Sequence, residues 1–234
     1  MSSIWTRPAA PAATGRPAEH TRTQITDAAV GVAEADGLAA VTMRRVATEL
    51  GTGAASLYRH LATRDDLVDL MIDAAYGRLT WPVGSGDGRA GLVADEMALL
   101  AHLRAHAWLV DALALRPPTA HAGPHALSRL EHLLGRLGAE RAPGWARIEA
   151  VDVLDGIVRG QAHAERRGPA SPAGGGLAET ATRMLWLAKA GAHPHVTAAL
   201  AAPPPPSAAS ADARLATLLR LVLDGVLAQA VMSM

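Results

Sequence analysis

Apolar residues recur along most of the chain at i, i+3, i+4 and i+7, the spacing that lines one face of an α-helix, and no stretch alternates with period two. The predicted fold class is therefore all-α. Thr21 to Gln24 has the T-x-x-Q form of a capping box, followed by Ile25, Ala28, Ala29, Val32 and Ala33 on one helical face and stopped by Gly37. Thr42 caps a short helix running to about residue 50, Gly51 supplies a sharp turn, and Thr52 or Gly53 opens the next helix. Thr63 to Asp66 is a second capping box, opening a helix that carries Leu67, Leu70, Met71, Ala74 and Ala75 to about residue 79. Trp81-Pro82 and the glycines at 84–88 break the pattern. Further helices are expected at 89–104, 108–115, 125–137, 144–167, 177–190, 195–201 and 211–232, divided by glycine and proline punctuation.

Residues 41–67, VTMRRVATELGTGAASLYRHLATRDDL, form the arrangement of a helix-turn-helix, in which the second helix enters a DNA major groove. Val46, Ala47, Leu50, Leu57 and Leu61 are the apolar residues that meet between its two helices. The segment resembles the DNA-binding head of the TetR/AcrR repressor family. Thr42, Ala47, Leu50, Gly51, Ser56, Leu57, Tyr58, His60, Arg64, Asp65, Leu67 and Val68 stand at that family's positions, with Leu61 where the family carries Phe. The resemblance implies a double-stranded DNA operator as partner and assigns roles by position. Arg44 has the planar fork that grips O6 and N7 of guanine, and Ala54 and Ala55 suit contact with thymine methyls. Thr42, Ser56, Tyr58, His60 and Arg64 are expected at phosphates, which set register without reading sequence. Arg59 is open between base, phosphate and a solvated surface position. One such helix reads few bases, so a homodimer on a palindromic operator is expected.

The net formal charge of zero argues against a general polyanion binder and makes local charge the relevant quantity. Arg44, Arg45, Arg59 and Arg64 face only Glu49 between residues 41 and 64, giving this stretch a local charge of +3, to which His60 would add. The acids Asp27, Glu34, Asp36, Asp69 and Asp73 lie outside that face. Half of the 234 residues are apolar, enough for a sizeable core, and the absence of Cys removes disulfides and thiolate metal sites. No apolar run reaches spanning length and the Pro-rich start lacks the core of a secretory signal, so a cytoplasmic protein with no membrane partner is expected. Residues 1–20 read as a disordered arm, its Arg7 and Arg16 solvated rather than set in a minor groove. Residues 21–80 then form the helix-turn-helix domain with its connecting helix, and residues 81–234 a larger helical domain.

In the last helix Leu215, Leu218, Leu219, Val222, Leu223, Val226, Leu227 and Ala230 make one apolar stripe that needs cover. The helix at 144–167 is apolar on more than one side, through Ile148, Val151, Val153, Leu154, Ile157 and Val158. Two such helices from each of two subunits would make a four-helix bundle; an ordinary intrachain core is the other reading. The ending LLRLVLDGVLAQ resembles the dimerisation helix of tetracycline-repressor-like ligand domains, as does HLRAHAWLVDALALRPP in the middle of the chain. The resemblance implies a dimer interface at Leu154, Val158, Leu215, Leu219, Val222, Leu223 and Val226. It further implies an unidentified small-molecule ligand near Trp108, Arg116, Pro117, His121 and His125. Trp145 and Trp186 are read as core ahead of pocket walls.

The family resemblance implies a ligand-responsive repressor, its ligand moving the helix that begins at Thr63 and spoiling the spacing of two heads, where the sequence by itself shows a head coupled by a helix to an apolar bundle. Two other classes stand beside it. His102/His106 and His121/His125 have the i, i+4 spacing that holds a metal, which would suit an all-helical metal enzyme, but they lack the glutamate of an H-E-x-x-H site. Asp152 and Asp155 share a face with Arg159 and are read as an ion pair, not a carboxylate dyad. A non-switching DNA-binding adaptor would use the head alone. No cofactor motif, phosphate loop or catalytic triad is present, so neither a cofactor nor a catalytic residue is expected.

Overall fold

The computed structural model describes residues 4–6, 20–84, 86, 88–116, 122–167, 182, 184, 186–187, 191, 193–201 and 209–232. Among these every regular element is helical. Helix α1 (Arg22–Asp36) begins at the expected capping box: Thr21 Oγ1 accepts from Gln24 N at 3.2 Å, and Gln24 Oε1 accepts from Thr21 N at 2.8 Å. It ends at Gly37, whose φ of +81° is the region glycine enters without steric cost. A 3₁₀ turn over Leu38–Ala40 leads to α2 (Met43–Glu49), capped by Thr42 Oγ1, which accepts from Arg45 N at 3.1 Å. Gly51, at φ +66°, makes the turn into α3 (Ala54–Tyr58). Val46, Leu57 and Leu61 are buried between them, and each large apolar side chain removed from water contributes about 1.5–3 kcal/mol.

The Thr63–Asp66 box opens α4 (Arg64–Gly77), whose buried face includes Leu67, Met71 and Ile72. This helix packs on α1 in the head and, on its other side, against α6 (Ala107–Leu115) and α7 (Pro124–Arg136). The larger domain is completed by α5 (Gly88–Ala105), α8 (Gly144–Arg167), α9 (Pro194–Ala201) and α10 (Ala211–Met232). Helix α10 lies across α8 and α5. Arg104 on α5 donates to Glu165 on α8 and Asp212 on α10, and Arg89 donates to Asp224 on α10. The helix expected at 177–190 falls largely outside the described residues.

Four expectations change. The arm is not wholly detached: Ile4 is 2% exposed within the core, and the Trp5 ring lies beside Gly123. They are adjacent bulky apolar residues in an Ala/Pro-rich stretch, and two neighbours can bury without any period for a pattern to reveal. Leu154, Val158, Leu219 and Leu223, assigned to a dimer interface, are fully buried within the chain, because the stripe of α10 is covered by α5 and α8 of its own bundle. Leu215, Val222 and Val226 are only partly buried against that core. Trp145 and Trp186 are 60% and 68% exposed, so neither is core. Finally, α10 is long and apolar enough by composition to cross a membrane, contrary to the expectation of no such run; one face of it packs on α5 and α8, and its Asp212 and Asp224 pair with Arg104 and Arg89 of α5.

Candidate functional site

The outer face of the helix-turn-helix presents Thr42, Arg44, Ala55, Tyr58 and Arg59 to solvent, with Ala54 and His60 partly covered. No hydrogen bond or ion pair ties down the Arg44 guanidinium among the described residues, so its fork is available. Arg45 pairs with Asp36 at 3.2 Å, both half exposed. Two expected phosphate ligands turn inward. Ser56 is buried, its Oγ accepting from Arg59 Nη2 at 2.9 Å. Arg64 donates from Nε to Val41 O at 2.6 Å and from Nη2 to Leu38 O at 2.9 Å, bracing the 3₁₀ turn against α4. The reason is tertiary: the packing of α4 against the end of the 3₁₀ turn sets the guanidinium beside two backbone carbonyls with accepting capacity to spare. His60 adds no charge to the face near neutral pH, since burial first and then Arg22 and Arg59 hold its imidazole below the ordinary value of 6.5.

The acids of α1 and α4 form the joint between head and larger domain. Glu34 Oε1 accepts from Trp108 Nε1 at 2.7 Å and lies 2.6 Å from His106 Nδ1. Asp69 takes a two-pronged contact from Arg116, Nε and Nη2 each at 2.8 Å, while Arg116 Nη1 donates to Asp65 at 2.7 Å. Asp73 Oδ1 accepts from the backbone N–H groups of His125 and Ala126, both at 3.0 Å, and its Oδ2 lies 2.8 Å from His125 Nδ1. The residue at the α7 N-cap is Gly123, which has no side chain to cap with, so a carboxylate from α4 caps α7 in its place. Trp108, Arg116 and His125, expected around a ligand, are thus committed to this joint and do not line the cavity below; Pro117 and His121 lie outside the described residues. The buried Asp69 and Asp73 of α4 require partners, and Arg116 and His125 supply them, while Trp108 bonds Glu34 on α1.

Beside the joint is a cavity of about 170 Å³. Ala122, Ala126, Leu130, Ile148 and Val151 give it apolar walls, and Tyr76, Arg129, Asp155 and Arg159 bring polar groups to it. Ala122 and Ala126 flank the very turn that Asp73 caps. Arg129 is 7% exposed and donates to both oxygens of Asp155, and from Nη2 to Glu96 Oε1 at 2.9 Å. Arg159 donates to Asp155 at 3.1 Å, the ion pair expected from their spacing, and to Tyr76 Oη at 3.1 Å. Glu96, Arg129 and Tyr76 were not singled out from sequence; the one available signal was a charge inside an otherwise apolar helical face. The rings of His102 and His106 stand 4.5 Å apart, but among the described residues no three His, Asp or Glu side chains converge as metal ligands would.

Burial, then the charge on Asp155, push the Glu96 carboxyl well above its ordinary range. Burial acts the same way on Asp155, but Arg129 and Arg159 overcome it and hold that carboxyl low, so Asp155 is the ionised partner. A carboxyl raised on folding stabilises fully below its unfolded value and loses that contribution as pH rises toward its folded value. Glu96→Gln, which cannot ionise, is therefore expected to gain on the parent protein as pH rises above about 5, by up to about 1.4 kcal/mol per pH unit. Melting temperatures of both proteins across this range check the expectation; a gap that stays constant with pH would mean that Glu96 is ionised throughout.

A family model described as bacterial regulatory proteins, tetR family, matches residues 25–71, and one described as tetracyclin repressor-like, C-terminal domain, matches residues 83–230. The HTH-type transcriptional repressor DrrR1 of Streptomyces coeruleorubidus is 37% identical over 144 residues, 61% of this chain and 52% of that protein. The chain spans about half the length of the curated relatives it matches. Apo ActR from Streptomyces coelicolor superposes with a TM-score of 0.70 at 25% identity, over 92% of this chain and 99% of that one. ActR in complex with actinorhodin gives 0.66 at 26% identity, over 90% and 98%. The helix-turn-helix of α2 and α3, the start of the α4 helix and the helical bundle behind it fall within the two matched regions, and the chain belongs to the tetR family of bacterial regulatory proteins, with a tetracycline-repressor-like C-terminal domain.

Proposed function

We propose that this chain is a ligand-responsive transcriptional repressor, a regulator and not an enzyme, which grips a palindromic operator as a homodimer and releases it when a small molecule fills the cavity between α4, α7 and α8. The observation that carries the reading is the Asp73 cap. A residue of the helix that braces the head holds the first turn of α7, and that turn is flanked by cavity wall. A ligand pressing on Ala122 and Ala126 moves the α7 N-terminus and pulls α4 with it. The shift is only as large as the ligand's preference for the DNA-incompetent arrangement. DrrR1 is a repressor and ActR has been solved with a bound ligand, which supports both halves of the reading.

The homodimer follows from the apolar surface left after the intrachain core is filled. On α10, Leu218, Leu221, Gly225 and Ala228 are exposed along one face, and on α8 so are Trp145, Ile148, Val153 and Gly156. Paired about a two-fold axis, these faces make the four-helix contact that the buried residues of the same helices do not.

The test is operator binding by the purified chain on DNA from its own upstream region across a salt series. Arg44→Ala is expected to weaken the specific site by about 1–3 kcal/mol and relax base preference at one position per half-site. Tyr58→Phe is expected to weaken all duplexes alike. A chain that is monomeric and indifferent to every duplex, or a pair of variants that behave identically, would end the proposal.

A further inference from the structure

The cavity beside α7 does not stand alone. A second cavity, about 230 Å³, is lined by Leu103, Val110, Leu113, Ala114, Gly160 and His163. Arg159 belongs to the lining of both. The two compartments therefore meet at one guanidinium, with mostly apolar walls on either side of it.

That guanidinium is the least compensated charge in the cluster. Arg129 already engages both oxygens of Asp155 and one of Glu96. Arg159 reaches Asp155 only through Oδ2, the oxygen that Arg129 Nη1 also uses, and at 3.1 Å against 2.9 Å. Its other recorded contact is the neutral Tyr76 hydroxyl. Its Nε has no hydrogen-bond partner among the described residues, and neither does Nδ1 of His163 in the second compartment. Asp152 also lines the first cavity, but among the described residues no hydrogen bond or ion pair joins it to either guanidinium, so the two share the Asp155 carboxylate while burial holds a proton on Glu96. A planar anion is the group that completes a free guanidinium edge, through charge-assisted N–H···O bonds about twice as strong as neutral ones.

We infer that the ligand of this regulator is an elongated organic acid, its anionic oxygens seated at Arg159 and its apolar arms occupying the two compartments on either side. The inference rests on the proposed function of the cavity and adds the chemistry of what it takes. A neutral molecule of the same outline leaves Arg159 partly unpaired and gains only apolar burial. A small acid without arms gains the ion pair and leaves both compartments unfilled.

The experiment compares two dyes of one skeleton, anilinonaphthalene sulfonate and the neutral phenylnaphthylamine, titrated by fluorescence into the full-length protein. The anion is expected to bind about tenfold more tightly. Arg159→Gln should abolish that preference and leave the neutral dye unchanged, whereas Arg159→Lys should keep part of it; the lysine variant guards against loss by misfolding. Ala114→Phe, which fills the second compartment, should weaken both dyes. Equal affinity of the parent protein for both dyes, or a preference that survives in Arg159→Gln, overturns the acid assignment while the cavity stands as a ligand site. Binding of neither dye overturns the assignment and the proposed cavity together.

Discussion

Replacing Arg129 by methionine is expected to lower the stability of the fold by about 3–5 kcal/mol, the usual cost of leaving buried partners without their counter-charge. Asp155 is held ionised chiefly by this guanidinium, and Glu96 accepts from it while wholly buried. Methionine replaces the aliphatic stem of the side chain but offers no donor, so of the two arginine partners Asp155 keeps only the 3.1 Å contact with Arg159. For a protein of this size each kcal/mol moves the melting temperature by roughly 2–4 °C, so thermal unfolding should show a fall of roughly 6–20 °C. The comparison that identifies the cause is the triple variant Arg129→Met, Glu96→Leu, Asp155→Leu. Only Arg159 then keeps a charge, and its guanidinium is part-exposed and reaches water, so the variant should recover much of the loss. A single variant that melts with the parent protein would show that the cluster is hydrated and not the buried network described above.

Gly123→Ala should break the joint between head and larger domain, at a cost of about 1–3 kcal/mol from stranded polar groups. Its Cβ would overlap the Asp73 carboxylate and come within 2.7 Å of the Trp5 ring. Asp73 would have to withdraw from the amides of His125 and Ala126, leaving the first turn of α7 uncapped. Hydrogen exchange should therefore quicken in that turn while α10 keeps its protection, and a compound that releases the parent protein from DNA should still bind but release the variant poorly. If the effect runs through the cap, Gly123→Ala combined with Asp73→Ala should cost less than the sum of the two. Strict additivity would place the damage elsewhere, most directly at the contact between Trp5 and the glycine.

The candidate site was legible in part. Residue type and position on the head could be read because the helix-turn-helix is a local object: Thr42, Gly51 and the Ser56 to His60 run lie within a few turns of one another. The two expected phosphate ligands that turned inward, Ser56 and Arg64, did so for partners that spacing does not announce. Arg64 bonds carbonyls 23 and 26 residues away. The same holds for Trp108, Arg116 and His125, expected around a ligand and found paired with acids at the joint. Their partners Glu34, Asp69 and Asp73 are 47 to 74 residues distant, on helices whose packing against α6 and α7 sets the pairing.

By itself the sequence determined that the chain is helical, where nearly every described helix starts and stops, and which short segment carries the helix-turn-helix. Both capping boxes and the turns at Gly37 and Gly51 appear where they were expected, because caps, glycine turns and the 3.6-residue period act over a few residues at a time. Only the tertiary structure decided that Leu154, Val158, Leu219 and Leu223 fill their own bundle and that Ile4 joins the core. It alone gave Asp73 to the N-terminus of α7 and Arg159 to two cavities at once. An apolar stripe or a lone charge states a need for cover or for a partner; which group meets that need depends on how distant helices cross, and no local spacing carries that information.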